Sequence, residues 1–188
     1  MIDGEEKLIA AAKQGDSASF SRLYHHYLPS IYRFIYMKVS SKHEAEDLSH
    51  EVFLSAWQNL PRYESRGFPF SSWLYKLARN RVIDYYRLAK PNVDLERAES
   101  LVAEGISVEA VIDNALEFET VRSALRTLSE DQQDVLILKF LEDCSHSEIA
   151  VALGKTEGSV RVIQHRALQQ LKKLLSTHDG RETHPYIA

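Results

Sequence analysis

The chain of 188 residues is 44% hydrophobic and 27% charged, which suits one ordinary domain or two small ones and excludes disorder throughout. Lysines and arginines number 23 against 27 aspartates and glutamates, so the formal net charge is −4. An even spread of these charges would disfavour nucleic-acid binding. No run of 18 apolar residues is present, and the charged, helix-like N-terminus differs from a signal peptide. We therefore expect a cytoplasmic chain that is not inserted in a membrane.

Cysteine and histidine are too sparse to indicate a metal or redox site. The single cysteine, Cys144, excludes an internal disulfide and a site of several thiolates, and we expect it to be a small, partly buried apolar residue. The eight histidines are dispersed, and the adjacent His25 and His26 cannot share one helix face. We expect neither a metal site nor a cofactor.

The charges are grouped along the chain. Bases outnumber acids between residues 62 and 90 and again between residues 155 and 173, whereas acids predominate between residues 94 and 119. Phosphate contacts depend on local lysine and arginine rather than on net charge. Two basic blocks around an acidic segment are therefore compatible with nucleic-acid recognition.

All predicted elements are helices, because glycine and proline are scarce and apolar residues recur at intervals of three and four. The first long element follows Asp16 and carries one apolar stripe from Phe20 to Ile35. Pro29 lies within this stripe, and we expect it to kink or split the helix, since proline removes a backbone hydrogen bond. The fold class is therefore all-α.

Two further helices complete the N-terminal half. One begins near Ser41 and has acids on its outer face, while its inner face is formed by Ala45, Leu48, Val52, Ala56 and Leu60. A loop over residues 61–69 follows. A third helix extends from Ser71 to Leu88, and Pro91 prevents its continuation.

Composition divides the chain into two small helical domains. Residues 1–90 form the first, residues 91–111 form a flexible acidic linker in which helical periodicity weakens, and residues 112–176 form the second. Four shorter helices are predicted in the second domain, at about 112–127, 130–141, 146–153 and 157–175. The tail, residues 177–188, contains glycine and proline and is expected to be disordered.

The segment from Ser145 to Leu175 has the pattern of a helix-turn-helix. Ser145 and Glu148 form a capping box that starts a short helix. Gly154 supplies a positive φ at the turn, and Thr156 caps the second helix. The inner stripe of that helix is Val160, Ile163, Ala167, Leu171 and Leu174, and its outer residues are Arg161, Gln164, His165 and Arg166. The pattern indicates DNA reading, because one α-helix fits the major groove and arginine can bind guanine edges. The alternative is an ordinary helical hairpin whose arginines are solvated.

The third helix combines aromatic and basic residues within 68–87. Such a helix suits single-stranded DNA, because an unpaired base can stack on a ring while a cationic side chain holds the backbone. One stripe consists of Lys76, Arg79, Asn80, Ile83 and Arg87. A core role is the better interpretation for Phe70, Trp73, Leu74, Leu77 and Ala78.

These segments resemble the extracytoplasmic-function sigma factors over about residues 5–175. The first domain is similar to sigma region 2 in LYHHYLPSIYRFIY, EAEDLSHEVFLSAW and FSSWLYKLARNRVIDYYR. The second is similar to region 4 in ALRTLSEDQQDVLILKF, HSEIAVALG and TEGSVRVIQHRAL. The resemblance implies two helical domains, and a subunit that directs core RNA polymerase to promoters without being an enzyme. It also implies an anti-sigma protein as a partner.

The resemblance further implies the residues of three binding sites. The β′ clamp of the polymerase would bind an acidic rim of Asp47, His50 and Glu51. The apolar centre of that rim would be Leu48, Val52 and Phe53. The melted −10 element would be held by Arg66, Phe68, Lys76, Arg79, Asn80 and Arg87. The −35 duplex would be bound by Lys155, Ser159, Arg161, Val162, His165 and Arg166.

Some positions are open or depart from the family pattern. Leu136, Leu138 and Phe140 lie where the family meets the polymerase β flap, but they can equally be core. His50 stands where glutamine is usual, which could make the polymerase contact pH-sensitive. Val162 and Ile163 replace polar or basic residues, so the −35 sequence is left open.

Two other classes of function are alternatives. An ordinary helix-turn-helix regulator would bind its duplex site without polymerase and use residues 1–90 as a sensor or dimerisation domain. A helical adaptor or enzyme would use His25, His43 or His50 in acid–base chemistry. The sequence has no nucleophile with a base, no paired-carboxylate site and no glycine-rich phosphate loop to support the second alternative.

Overall fold

The computed structural model describes residues 2–65, 67–89 and 121–179. Within these ranges all regular secondary structure is helical, which confirms the all-α prediction. The elements are α1 (Glu5–Lys13), α2 (Ser17–Tyr36), α3 (Lys42–Asn59), a 3₁₀ turn (Leu60–Arg62), α4 (Phe70–Ala89), α5 (residues 121–126), α6 (Glu130–Phe140), α7 (His146–Leu153) and α8 (Glu157–Asp179). Among the described helices, none combines the length and apolarity that a membrane crossing requires. The described ranges also hold no group of three or more histidine, cysteine or acidic side chains placed to bind a metal ion.

Helix α2 is a single helix of 20 residues although it contains Pro29. Its first turn is capped by Asp16, whose carboxylate accepts two backbone amides at 3.3 and 3.2 Å. The expected split at Pro29 is therefore wrong. Proline removes one backbone hydrogen bond, but Ile31 and Phe34 just beyond it are fully buried, and their burial outweighs that loss.

Three predicted helix starts coincide with capped N-termini. At α3, the Ser41 hydroxyl accepts the Glu44 amide at 3.2 Å, and the Glu44 carboxylate accepts the Ser41 amide at 2.9 Å. Ser145 and Glu148 repeat this capping box at α7, with distances of 3.2 and 2.6 Å. At α8, the Thr156 hydroxyl accepts a backbone amide of the first turn at 3.2 Å. These starts were predictable because each cap involves residues only three positions apart.

The N-terminal half is a bundle of α1 to α4 around an apolar core. Its large, fully buried side chains include Leu23, Ile31, Phe34, Ile35, Leu60, Phe70 and Leu74. The core role predicted for Phe70, Leu74 and Ala78 is confirmed, since each is at most 1% exposed. Trp73 and Leu77 are only half-buried at the edge of this core.

The C-terminal half packs α6, α7 and α8 around a second group of buried side chains, Val135, Ile137, Leu138, Ile149, Val160 and Ala167. The inner stripe predicted for α8 is wrong at Leu174, which is 37% exposed. Helix α8 has 23 residues, whereas α6 has 11 and α7 has 8. Its last turns therefore extend beyond the helices that cover its inner face, and it continues to Asp179, past the expected end at residue 175.

The two halves are in contact, and α4 packs against α7. A buried ion pair joins Lys38 to Asp134, whose side chains are 3% and 0% exposed. At the rim, the guanidinium of Arg33 binds the Glu142 carboxylate at 2.6 and 2.9 Å. The linker predicted over 91–111 lies outside the described residues.

Cys144 lies between α6 and α7 and is 9% exposed. Burial, with Glu148 and Glu142 nearby, raises the pKa of its thiol to about 12. Only the thiolate is a good nucleophile, so we expect the folded protein to react with a thiol reagent at about pH 8 far more slowly than the denaturant-unfolded protein. A time course of labelling measures this difference. Equal labelling rates in the two states would contradict the apolar role of Cys144.

Candidate nucleic-acid interface

Helix α8 presents a basic face to solvent. The four residues predicted to read −35 bases are exposed on it, namely Arg161, Val162, His165 and Arg166. The opposite side is held by Val160 and Ala167, which are fully buried. Glu157, one turn earlier, contacts the Arg161 guanidinium at 3.1 Å. A helix with one side anchored and one basic side exposed has the shape that the DNA major groove accepts.

The turn before α8 has the predicted glycine geometry. Gly154 ends α7 with a φ of 65°, in the left-handed region that glycine adopts without steric cost. The Lys155 amide donates to the Ala150 carbonyl at 2.8 Å and closes the turn. Gln164 was expected to face solvent or the groove, but it is half-buried and its side-chain oxygen lies 2.6 Å from His146 Nε2. Gln164 therefore ties α8 to α7 instead of being free to contact DNA.

Two residues predicted to lie near −35 phosphates differ in their surroundings. Ser159 is exposed in the first turn of α8. The Lys155 ammonium instead contacts Asp131 of α6 at 2.8 Å. Burial raises the pKa of the Asp131 carboxyl, but the hydrogen bonds and charges of Lys155 and Arg79 outweigh it and hold that pKa below its usual value. Lys155 is thus already paired with an ionised carboxylate.

The N-terminal end of α4 lines a surface pocket of about 420 Å³. Its lining includes Arg62, Tyr63, Phe68, Trp73 and Lys76. The ring centroids of Tyr63 and Trp73 lie 4.9 Å apart. Aromatic rings beside cationic side chains can stack an unpaired base and hold its phosphate.

A second pocket, of about 340 Å³, contains Asn80. Asn80 and Lys76 are exposed, and Asn59 at the end of α3 also lines this pocket. Arg62 and Trp73 contribute to both pockets. The sequence offers Trp73 as a candidate for base stacking but favours a core role, whereas in the structure its half-buried ring lines both pockets. Its position one turn before Lys76, in a basic block, is the signal that favours base stacking.

The other residues predicted to hold the −10 strand are dispersed. Arg79 is 20% exposed and contacts Asp134 at 2.7 Å and Asp131 at 3.0 Å. Arg87 is exposed and contacts an acid one turn earlier in α4 at 3.2 Å. Arg66 lies outside the described residues. The structure therefore brings Phe68, Lys76 and Asn80 together along the two pockets and places Arg79 against acids of α6.

Asp47, His50 and Glu51, the residues predicted to bind the polymerase clamp, are exposed on α3. Asp47 lies 3.6 Å from His43, one turn earlier in the same helix. Glu51 contacts Arg81 of α4 at 3.3 Å. These residues form an acidic edge, which suits a partner of opposite charge.

The apolar centre expected beside this edge is wrong. Leu48, Val52 and Phe53 are 6%, 1% and 3% exposed, because they are the inward face of α3. Leu54 is 59% exposed instead. It borders a shallow apolar pocket of about 360 Å³, lined also by Phe20, Tyr24, His50, Phe53 and Trp57. An apolar partner surface at this edge would therefore meet Leu54 rather than Phe53.

The structure of α6 decides whether Leu136, Leu138 and Phe140 are core residues or lie on the surface, where the family meets the β flap. Leu136 and Leu138 are core residues, at 4% and 0% exposure. Phe140, at the C-terminal end of the helix, is 58% exposed. Of the three, Phe140 alone has a side chain exposed to solvent.

Two family descriptions match the chain. Residues 23–91 match Sigma-70 region 2, and residues 118–171 match Sigma-70, region 4. The chain is 34% identical over 171 residues to the ECF RNA polymerase sigma factor BldN of Streptomyces coelicolor. The aligned region covers 90% of this chain and 65% of BldN. It is 30% identical over 180 residues to the ECF RNA polymerase sigma factor SigW of Bacillus subtilis. That aligned region covers 90% of this chain and 96% of SigW.

The fold is also similar to that of solved structures. CnrH, in its complex with the cytosolic domain of CnrY, superposes with a TM-score of 0.73 at 23% identity. The superposition covers 93% of this chain and 99% of CnrH. This likeness extends over both halves of the chain.

Proposed function

Because the chain belongs to the extracytoplasmic-function (ECF) RNA polymerase sigma factors, we propose that it uses the α4 pockets and the exposed face of α8 to direct core polymerase to promoters. The chain binds core RNA polymerase and directs promoter-specific initiation. Its region 2 captures the melted −10 DNA, and its region 4 reads the −35 duplex. One observation carries the assignment of surfaces. A single chain holds a stacking surface suited to unpaired bases and a helix suited to duplex DNA.

The α4 pockets are the proposed −10 site. An unpaired base would stack on Trp73 or Phe68, while the Asn80 amide, which both donates and accepts hydrogen bonds, would read the edge of a base. Lys76 would hold a strand phosphate. Stacking contributes roughly 1–3 kcal/mol for each base, which offsets part of the cost of unstacking the duplex. Melting then needs no bond-making in the sigma subunit, and we infer that the chain is not an enzyme.

The exposed face of α8 is the proposed −35 site. Arg161 and Arg166 can each bind a guanine edge with two hydrogen bonds. Val162 offers an apolar contact to a thymine methyl group, and Ser159 lies at the helix start, near the expected path of a phosphate. His165 completes this surface.

The acidic edge of α3 is the proposed contact with the β′ clamp. Asp47, His50 and Glu51 would provide its charge, and Leu54 its apolar centre. Phe140 is the proposed contact with the β flap. Since both halves would bind one polymerase, each contact raises the effective concentration of the other.

An anti-sigma protein is the proposed inhibitor of the free chain. The sigma factor RpoE of Bartonella quintana, which has a similar fold, was solved in complex with the anti-sigma factor NepR. CnrH, also of similar fold, was solved in complex with the cytosolic domain of CnrY. We infer that this chain is sequestered in the same general way. We also infer a cytoplasmic location, where core polymerase and promoter DNA are found.

Run-off transcription from a genomic fragment library with core polymerase tests the proposal. We expect the wild-type chain to produce start sites that share two upstream elements. Asn80→Ala should lower initiation at these sites by about tenfold or more, since loss of one base-edge contact costs roughly 1–3 kcal/mol. Gln14→Ala, which removes an exposed amide outside both pockets, is the matched control and should leave initiation unchanged.

The alternative of an ordinary regulator predicts a different result. Such a protein would bind duplex DNA tightly by itself and give no core-dependent initiation. The match to Sigma-70 region 2 over residues 23–91 disfavours this alternative.

A further inference from the structure

We propose that Glu157 determines the specificity of the −35 surface, because its carboxylate holds the Arg161 guanidinium toward the bases and away from the phosphates. Glu157 would touch no base itself, so it is a positioning residue that acts through Arg161. This inference rests on the proposed function of α8 and deepens it.

The contact between Glu157 and Arg161 lies within α8. A carboxylate oxygen of Glu157 is 3.1 Å from a guanidinium nitrogen of Arg161, one turn further along the helix. An acid four residues before a base is the favourable order in a helix, because the acid then lies nearer the positive end of the helix dipole. The pair depends on no other helix, so it can persist when α8 enters a groove.

Glu157 and Arg161 belong to a row of four exposed side chains along α8. The row continues with His165 and Gln169, since residues four positions apart are neighbours on a helix surface. The side-chain nitrogen of Gln169 lies 3.0 Å from His165 Nε2. Each of the two base-reading side chains in the middle of the row is therefore contacted by a polar side chain at its outer end. A side chain that is ordered before binding loses less conformational freedom when it meets its base.

The second arginine of this surface has no acid one turn away along α8. The residues four positions before and after Arg166 are Val162 and Gln170, and neither carries a charge. Arg161 is thus the arginine that has an acid placed to orient it. The two arginines can therefore be compared within one protein.

The orientation of Arg161 matters because an arginine can bind either a base or a phosphate. A guanine edge accepts two hydrogen bonds from one side chain, which requires the planar guanidinium to lie in a fixed orientation. Phosphates are present in every DNA sequence, so a guanidinium that turns to a phosphate raises affinity without discrimination. The Glu157 carboxylate opposes that turn, since it attracts the guanidinium and repels the phosphate.

Binding of the full chain to duplex DNA tests this role. The probes are a duplex that the wild-type chain selects from a random-sequence library and a scrambled version of it, and fluorescence anisotropy measures both affinities. Glu157→Gln keeps the length of the side chain and removes its charge. We expect this variant to bind the scrambled duplex more tightly and to lower the ratio of the two affinities by about threefold to tenfold. The salt dependence of its binding to the scrambled duplex should rise by about one unit, as for one new phosphate contact.

Glu6→Gln is the matched control. Glu6 is an exposed acid in the first turn of α1, so its replacement makes the same charge change at an equivalent helix position far from α8 in the sequence. This control should leave the affinity ratio unchanged. Both variants should unfold at nearly the wild-type temperature, because exposed charges and ion pairs contribute little to stability.

A double-mutant cycle shows whether Glu157 acts through Arg161. We expect Glu157→Gln to lower the affinity ratio further in an Arg166→Ala background and to leave it unchanged in an Arg161→Ala background. An equal loss in both backgrounds would overturn the positioning role, because Glu157 would then act without Arg161.

An unchanged affinity ratio for Glu157→Gln would also overturn the positioning role, while the −35 surface itself would stand. Failure of the wild-type chain to prefer any duplex sequence would instead overturn the proposed function of α8, and this inference with it.

Discussion

Replacing Arg161 and Arg166 together with alanine is expected to weaken binding to the −35 duplex by roughly 30-fold or more. Each bidentate contact between arginine and guanine contributes roughly 1–3 kcal/mol of discrimination. Both side chains are exposed, while the residues that anchor α8 on its other side, Val160 and Ala167, are untouched. Fluorescence anisotropy with a promoter fragment found by run-off transcription, and with a scrambled duplex, measures the change.

The control for this variant removes two exposed bases elsewhere. Lys7→Ala with Arg22→Ala makes the same change in net charge on α1 and α2, and it should leave duplex affinity nearly unchanged. Loss of phosphate contacts weakens binding to all sequences and reduces the salt dependence by about one unit per contact. An equal loss on promoter and scrambled duplexes would contradict base reading by these two arginines.

Phe34→Ala is expected to lower the free energy of unfolding of the N-terminal half by about 3–5 kcal/mol. Phe34 is fully buried in α2, its ring centroid lies 5.6 Å from that of Tyr75, and the Lys38 ammonium lies 5.4 Å from the ring. Alanine leaves a cavity and removes these contacts. Thermal unfolding followed by circular dichroism should show a midpoint lower by roughly 10 °C or more.

Phe140→Ala makes the same chemical change at an exposed position. Because Phe140 is 58% exposed, its loss should change stability by no more than about 0.5 kcal/mol. The same variant should weaken binding to core polymerase if the ring meets the β flap. Comparable destabilisation by the two variants would contradict the assignment of Phe34 to the core and Phe140 to the surface.

The candidate site was partly predictable from the sequence. The basic face of α8 follows from helical periodicity together with the Ser145–Glu148 capping box, and α7 spans the predicted residues His146–Leu153. Periodicity was less reliable at the edge of a stripe. The resemblance placed Phe53 at the partner surface, and periodicity did not correct it, although Leu54, one position further along α3, is the exposed residue. A shift of one residue rotates a side chain by about 100° around a helix, and only packing decides which side is covered.

The sequence by itself determined the all-α class, the starts of α3, α7 and α8, and the family to which the chain belongs. Helix caps, glycine turns and apolar stripes depend on residues a few positions apart, so they can be predicted from the sequence. Only the tertiary structure decided the partners of the charged residues. Arg79 and Lys155 are predicted phosphate ligands in the sequence, but in the fold both contact Asp131 of α6. Long, flexible cationic side chains bind whichever anion the packing of distant helices brings near, and no local pattern specifies that neighbour.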